Sequence, residues 1–300
     1  MPKARDGHAI VFDSTSGEMI LFGGRYNDEE GHCPNAQDIW KWDGGSETWT
    51  DLTITGSMPS ARTSYNAMVY DSTRKKSLLF GGYYSSVHGI FYTDIWEWDG
   101  YTFTWTDVTL EGNMPSIRTG HAMSYDSARG KVVLFGGVYS SSYYQDTWEW
   151  DGASRTWADE TPETGMPEAR CGHTLIYDSI HDKTLLFGGG YIYNNIDYNF
   201  QDTWEWDGAS GIWEDVTPSG TKPGARFGHA MAYDAARGKI VLFGGYDGYA
   251  SSAFYQDTWE WDGHSVTWTN LTTDGDKPEA RSGHGLVYDS ARDKVVLFGG

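Results

Sequence analysis

Six arginines and five histidines recur along this 300-residue chain at spacings that could assemble a site. Arg5, Arg62, Arg118, Arg170, Arg226 and Arg281 follow one another at intervals of 57, 56, 52, 56 and 55 residues. His8, His121, His173, His229 and His284 each lie three positions after one of them. A cluster of guanidinium groups grips carboxylates or phosphates bidentately, whereas converging imidazoles hold zinc at about 2.1 Å. Every arginine but the last is followed by an acidic partner in step: Asp38, Asp94, Asp146, Asp202 and Asp257. Two arrangements are open on this pattern. The arginines pair with these aspartates, or they form a free cationic ring that takes an acidic ligand.

A second set of candidate binding residues lies in stretches that vary while everything around them repeats. These read "YYSSVHGIFYT", "VYSSSYYQ", "YIYNNIDYNFQ" and "YDGYASSAFYQ", with "RYNDEEGHCPNAQ" as the first. Tyr, Ser, Asn and Gly dominate, the mixture of rigid aromatic area and adaptable small polar groups found in antibody recognition loops. Candidate ligand-binding residues are Tyr83, Tyr84, Tyr92, Tyr143, Tyr144, Tyr191, Tyr193, Tyr198, Tyr246, Tyr249 and Tyr255, together with Arg62, Arg118, Arg170 and Arg226. The competing reading has the tyrosines covering strand edges.

The elements that must position these groups follow from the repeat. Each unit holds an Arg-x-Gly-His-like start, an apolar stretch with a Tyr-Asp turn, a Phe-Gly-Gly, the variable loop, then Asp-x-Trp-x-Trp-Asp-Gly and a last Trp. All fifteen tryptophans fall three to a unit in five units, and the sixth unit stops after its Phe-Gly-Gly. "GHAMSYD" and "KVVLFGG" are short β-rich runs joined by a polar turn, which reads as a hairpin. "DTWEWDG" alternates with period two, so Trp148 and Trp150 share one face and Glu149 takes the other. "TWADET" makes a fourth strand. No segment has a sustained helical period.

Composition narrows the classes. A net charge of −20 and a pI near 4.6 argue against nucleic acid as a partner, since phosphate binding needs a basic face. No apolar run approaches the ~18 residues of a membrane-spanning helix, so no membrane insertion is expected. The two cysteines, Cys33 and Cys171, sit at non-equivalent points of the repeat and imply no disulfide framework. The acidic, Tyr/Trp/Ser-rich, nearly Cys-free composition leans towards an extracellular or cell-surface microbial protein.

The order Arg-x-Gly-His, Gly-Gly, variable loop, Asp-x-Trp, later Trp resembles the kelch repeat, here over essentially the whole chain. The resemblance implies an all-β propeller of four-stranded blades. The Arg-Gly-His strand would lie innermost at the channel, the last Trp outermost, and the Gly-Gly at the end of the second strand. The second unit departs from the pattern, with Ser64 and Tyr65 in place of Gly and His. The expectation for residues 1–300 is one domain of five full repeats and a half repeat, cut short within a six-bladed ring, with seven blades possible. In such a ring the histidines stand around a channel too wide for them to meet one ion, so each is expected to fix its own blade. Neither metal nor other cofactor is expected.

Kelch domains bind ligands at the face that carries these arginines. The function expected is a non-catalytic module that recognises a protein or peptide, with a glycan as the alternative. A copper oxidase on the kelch scaffold is a distant third. It would need two His and a Tyr outside the repeat pattern, and the off-pattern His32, His88, His181 and His264 are scattered over different units.

Overall fold

The computed structural model describes residues 1–28, 30–63, 67–84, 89–194, 196–248 and 253–300, and those residues contain strands and turns but no helix. None is therefore in a helix long and apolar enough to cross a membrane. Five antiparallel four-stranded sheets repeat along the chain. Blade 1 is Ala9–Asp13, Glu18–Phe22, Ile39–Asp43 and Thr48–Asp51; blade 2 is Met68–Asp71, Lys76–Phe80, Ile95–Asp99 and Thr104–Asp107. Blade 3 is Ala122–Asp126, Lys131–Phe135, Thr147–Asp151 and Thr156–Asp159; blade 4 is Thr174–Asp178, Lys183–Phe187, Thr203–Asp207 and Ile212–Asp215. Blade 5 is Ala230–Asp234, Lys239–Phe243, Thr258–Asp262 and Thr267–Asn270. A two-stranded hairpin, Gly285–Asp289 with Lys294–Phe298, follows.

The expected six blades are thus corrected to five. From Arg281 onward the sequence supplies only the two hairpin strands, without an Asp-x-Trp-x-Trp-Asp strand to widen that sheet. The hairpin's first strand packs between the first strands of blades 5 and 1. Backbone bonds complete the circle: Gly7 N donates to Gly283 O at 2.8 Å and Gly300 N to Arg5 O at 3.0 Å.

The core lies between blades. Trp150 and Trp157 of blade 3 pack on Val69, Leu78, Phe80 and Ile95 of blade 2, and Trp98 and Trp105 of blade 2 pack on Ile20, Phe22 and Ile39 of blade 1. Period-two alternation puts both tryptophans of the third strand on that face, which is how each blade buries indoles against its predecessor. Around the channel the glycines of the Arg-x-Gly-His strands link blade to blade. Gly172 N donates to Gly120 O, Gly228 N to Gly172 O and Gly283 N to Gly228 O, at 2.8–2.9 Å. These glycines have φ of 64–67°, and a Cβ on Gly172 would stand 3.1 Å from the Phe227 Cβ. Only glycine takes such a turn without strain while two backbones touch.

The histidines serve the same joint, though not in the way the sequence implied. Instead of fixing its own blade, each imidazole packs edge-on against the Phe-Gly-Gly phenylalanine of the preceding one: His121 on Phe80, His173 on Phe135, His229 on Phe187, His284 on Phe243. His8 on Phe298 repeats this across the closure, at 5.3 Å between centroids. His173 Nε2 lies 3.1 Å from Phe135 O. Among the described residues no group of three or more His, Cys, Asp or Glu is placed to hold a metal ion.

Burial drives these imidazoles well below their usual value of 6.5, to about 3 for His8 and His121 and about 4 for His284, aided by the adjacent arginine charge. The unfolded chain then binds protons that the folded one refuses. The histidine contribution to stability is accordingly flat above about pH 6.5 and declines as pH falls below it. Each histidine contributes a slope of about 1.4 kcal/mol per pH unit until its folded value is reached. Urea midpoints at pH 7.5, 6, 5 and 4 check this, and a midpoint unchanged from pH 7.5 to 5 would contradict it.

Candidate functional site

In blades 1 to 5 the inner arginine follows a Pro-containing stretch and reaches the aspartate immediately before its own blade's third strand. Arg118 donates to both carboxylate oxygens of Asp146 at 2.7 Å, to Gly136 O at 2.8 Å and to Ser116 O at 2.8 Å. Arg62 with Asp94, Arg170 with Asp202 and Arg226 with Asp257 repeat the fork at 2.5–2.9 Å, as does Arg5 with Asp38. Burial works to raise the Asp146 carboxyl, but the Arg118 fork and the Trp148 indole outweigh it and hold it below the usual carboxylate range. The paired arrangement is the one present. Arg62, Arg118, Arg170 and Arg226 are 0% exposed, which corrects their assignment as ligand-binding groups at an open mouth.

An aromatic lid seals four of the five forks. Tyr92 lies over Arg62 at 4.0 Å, Tyr144 over Arg118 at 4.3 Å, Phe200 over Arg170 at 4.0 Å and Tyr255 over Arg226 at 3.9 Å. Tyr92, Tyr144 and Tyr255 thus leave the candidate ligand set for a structural cation–π role. The signal was in the sequence: an aromatic stands two residues before the aspartate in four units, and Ala36 replaces it in the first. There the guanidinium meets Tyr26 only at 6.0 Å.

The other loop aromatics form a connected arc across blades 2 to 5. Three of the variable loops fold into two-stranded ribbons: Tyr83–Tyr84 with Ile90–Phe91, Val138–Tyr139 with Ser142–Tyr143, and Gly190–Tyr193 with Ile196–Asn199. Tyr83 packs on Phe91 at 4.7 Å, and Phe91 on Tyr139 of the next blade at 5.0 Å. Tyr143 and Tyr191 meet at 6.0 Å, and Tyr191 stacks on Tyr198 at 4.8 Å and 9°. The Tyr143 hydroxyl accepts from Ile192 N at 3.0 Å, and Asn199 Nδ2 donates to Asp247 O at 2.6 Å, tying blade 4 to both neighbours. Tyr246 continues the arc with Phe227 and Phe254. Tyr84 is half-buried opposite Ile90, and Tyr249 lies outside the described residues.

Solvent reaches one side of this arc. Tyr193 is 63% exposed, Ile196 55%, Phe254 51%, Ile90 48%, Ile192 44%, Tyr139 41% and Tyr198 39%. Of these only Tyr193 and Tyr198 were in the candidate set. Tyr139, the isoleucines and Phe254 lie outside that set; an Ile inside a polar loop is the signal in the sequence that points to them. Tyr83, Tyr143, Tyr191 and Tyr246 are half-buried and hold the exposed group in place.

At the opposite end of the channel is a cavity of about 350 Å³ lined by Tyr70, Tyr125, Tyr177, Tyr233 and Tyr288. Tyr70 and Tyr125 donate to Thr15 and Thr73 of the preceding blade at 2.7 Å, so these hydroxyls already serve packing between blades.

Comparison with known proteins agrees with this architecture. The family described as the KLHDC2/KLHL20/DRC7 Kelch-repeats domain matches residues 1–189 and again 178–300. Kelch domain-containing protein 3 of Bos taurus is 29% identical over 254 residues, covering 82% of this chain and 62% of that protein. Rab9 effector protein with kelch motifs of Xenopus laevis is 29% identical over 203 residues, 66% of this chain and 53% of that protein. Multiple epidermal growth factor-like domains protein 8 of Mus musculus is 31% identical over 193 residues, 63% of this chain and 7% of that protein. The chain therefore spans less than two thirds of the length of these relatives. It belongs to the kelch-repeat family of β-propellers.

Proposed function

We propose that the chain recognises a protein partner through the exposed apolar arc on its loop face, centred on the Gly190–Tyr193 and Ile196–Asn199 ribbon. The observation that supports this most is the run of Ile90, Tyr139, Ile192, Tyr193, Ile196, Tyr198 and Phe254 standing in solvent over four successive blades. Contiguous exposed apolar surface on a rigid frame marks an interaction site. Aromatics that lose little side-chain entropy are favoured contact residues there. With the arginines sealed, recognition by this face rests on apolar and aromatic contact rather than on a cationic grip. That favours a peptide or protein surface carrying apolar side chains over a sugar. The Xenopus relative, named an effector of Rab9, supports protein as the partner class.

Tyr193→Ala combined with Ile196→Ala should lower affinity for a partner peptide at least about thirtyfold, the effect of losing one interface hot spot. Because both side chains are more than half exposed, the midpoint of thermal unfolding should stay within a degree or so. Titration calorimetry with the peptide, beside a thermal melt, reads both. Unaltered affinity in the double variant would refute the assignment.

A further inference from the structure

We propose that the channel, at the end opposite the loop arc, is a binding site for a neutral apolar molecule the size of two fused rings that carries one hydroxyl or N–H donor. The site is built by the alternation of the inner strands. Residues two apart on a strand share a face, so each inner strand contributes to the wall at two depths. The deeper level is Ile10, Met68, Met123, Leu175, Met231 and Leu286. The mouth is Phe12, Tyr70, Tyr125, Tyr177, Tyr233 and Tyr288, each two positions further along the same strand. Ser127, Ser179 and Ser290 at its margin are exposed, so the cavity opens to solvent on this side.

Towards the loop face the channel narrows, because the backbones of Gly120, Gly172, Gly228, Gly283 and Gly7 bond to one another at 2.8–2.9 Å. The space left at that level among His8, His173, His229 and His284 is about 20 Å³, room for about one water molecule. Beyond it lies the cavity of about 350 Å³. Protein interiors hold few voids larger than a water molecule, so an opening of this size is a place for a guest. Since a dry cavity of about 150 Å³ admits benzene, this one suits about ten to twelve non-hydrogen atoms.

The chemistry of the wall selects the guest. Among the described residues, its lining contains no Asp, Glu, Lys, Arg or His. The aspartates that follow the mouth residues are engaged in their own hairpin turns: Asp71 accepts from Thr73 N and Arg74 N, and Asp126 from Ala128 N and Arg129 N. A charge brought inside would lose its hydration without gaining a counter-ion. Three methionines give the wall the plasticity to close on a flat apolar ring. The tyrosine hydroxyls fix the polar end. Tyr70 and Tyr125 donate to Thr15 and Thr73 at 2.7 Å, Tyr177 to Asp182 at 2.9 Å and Tyr288 to Asp293 at 2.6 Å. A hydroxyl has one proton, so these four oxygens have only lone pairs left to offer. A guest with a donor at its outer end can use one of them, and a guest with acceptors alone cannot.

The probe is 2-naphthol, which is neutral at pH 7, titrated into the folded protein by calorimetry. It should bind saturably, one molecule per chain. 2-Methoxynaphthalene, which lacks the donor, should bind at least about threefold more weakly, the effect of one net hydrogen bond. Naphthalene-2-sulfonate, which adds a charge, should bind at least about tenfold more weakly. Location is read from the spectrum of methionine methyls labelled with carbon-13. Of the eight methionines, Met68, Met123 and Met231 should shift with 2-naphthol, while Met1, Met19, Met58, Met114 and Met166 should not. Ile10→Asp, which sets a carboxylate in a half-buried wall position, should weaken 2-naphthol at least about tenfold. Should that variant fail to fold, the three naphthalenes and the methyl spectrum of the unaltered chain still decide. No saturable binding, shifts confined to the other five methionines, or an ether or sulfonate that binds as tightly as 2-naphthol would overturn the proposal.

Discussion

Arg118→Ala is expected to lower stability by about 3–5 kcal/mol, the cost of removing one partner of a buried ion pair. For a chain of this size that is a fall of about 10 °C in the unfolding midpoint, read by calorimetry at pH 7. The variant strips Asp146 of its bidentate partner and leaves Gly136 O and Ser116 O without the donor that serves them. It also empties the space beneath Tyr144. Arg118→Lys should not rescue, because one ammonium cannot fork a carboxylate and reach two carbonyls at once. A free ligand-gripping arginine would behave in the opposite way, losing affinity without losing stability. A melt unchanged in Arg118→Ala would therefore return the arginines to the binding face.

Trp150→Ala should cost a further-reaching 3–5 kcal/mol, approximately the usual penalty for deleting a buried indole. Its side chain is 1% exposed, packs on Leu78, Phe80 and Ile95 of the preceding blade, and lies 5.4 Å from the Trp157 ring. The same change at Trp42 should cost only about 1–2 kcal/mol, since that indole is half-exposed beside the unwidened final hairpin. Denaturant melts of the two variants compare these directly. Equal losses would mean that Trp42 is as sealed as its counterparts.

Much of this was legible in the sequence because the repeat makes the same local statement several times. The Arg–Asp forks could be anticipated from partners that recur in step, and the indole faces from strict alternation in Asp-x-Trp-x-Trp-Asp. What local pattern cannot carry is contact between units. His173 contacts Phe135, 38 residues earlier in another blade, and nothing within the Arg-x-Gly-His strand announces that neighbour. The aromatic lids were hidden for a different reason. Tyr144 and Tyr143 are adjacent and alike, yet one lies on a guanidinium and the other on Tyr191 of the next blade. Their roles separate only once the loop folds into a ribbon and turns successive side chains to opposite sides. The last Phe-Gly-Gly stands in a two-stranded hairpin, so five four-stranded blades are present where the repeat pattern predicts six.

Binding of the folded protein and of its Tyr193→Ala/Ile196→Ala variant to one array of acidic peptides, neutral peptides and glycans tests the central claim most directly. Peptide signals that the variant loses, with no preference for acidic sequences, are the predicted result. Glycan signals alone, peptide signals that survive the variant, or a preference for acidic peptides that points back to the arginines would contradict it.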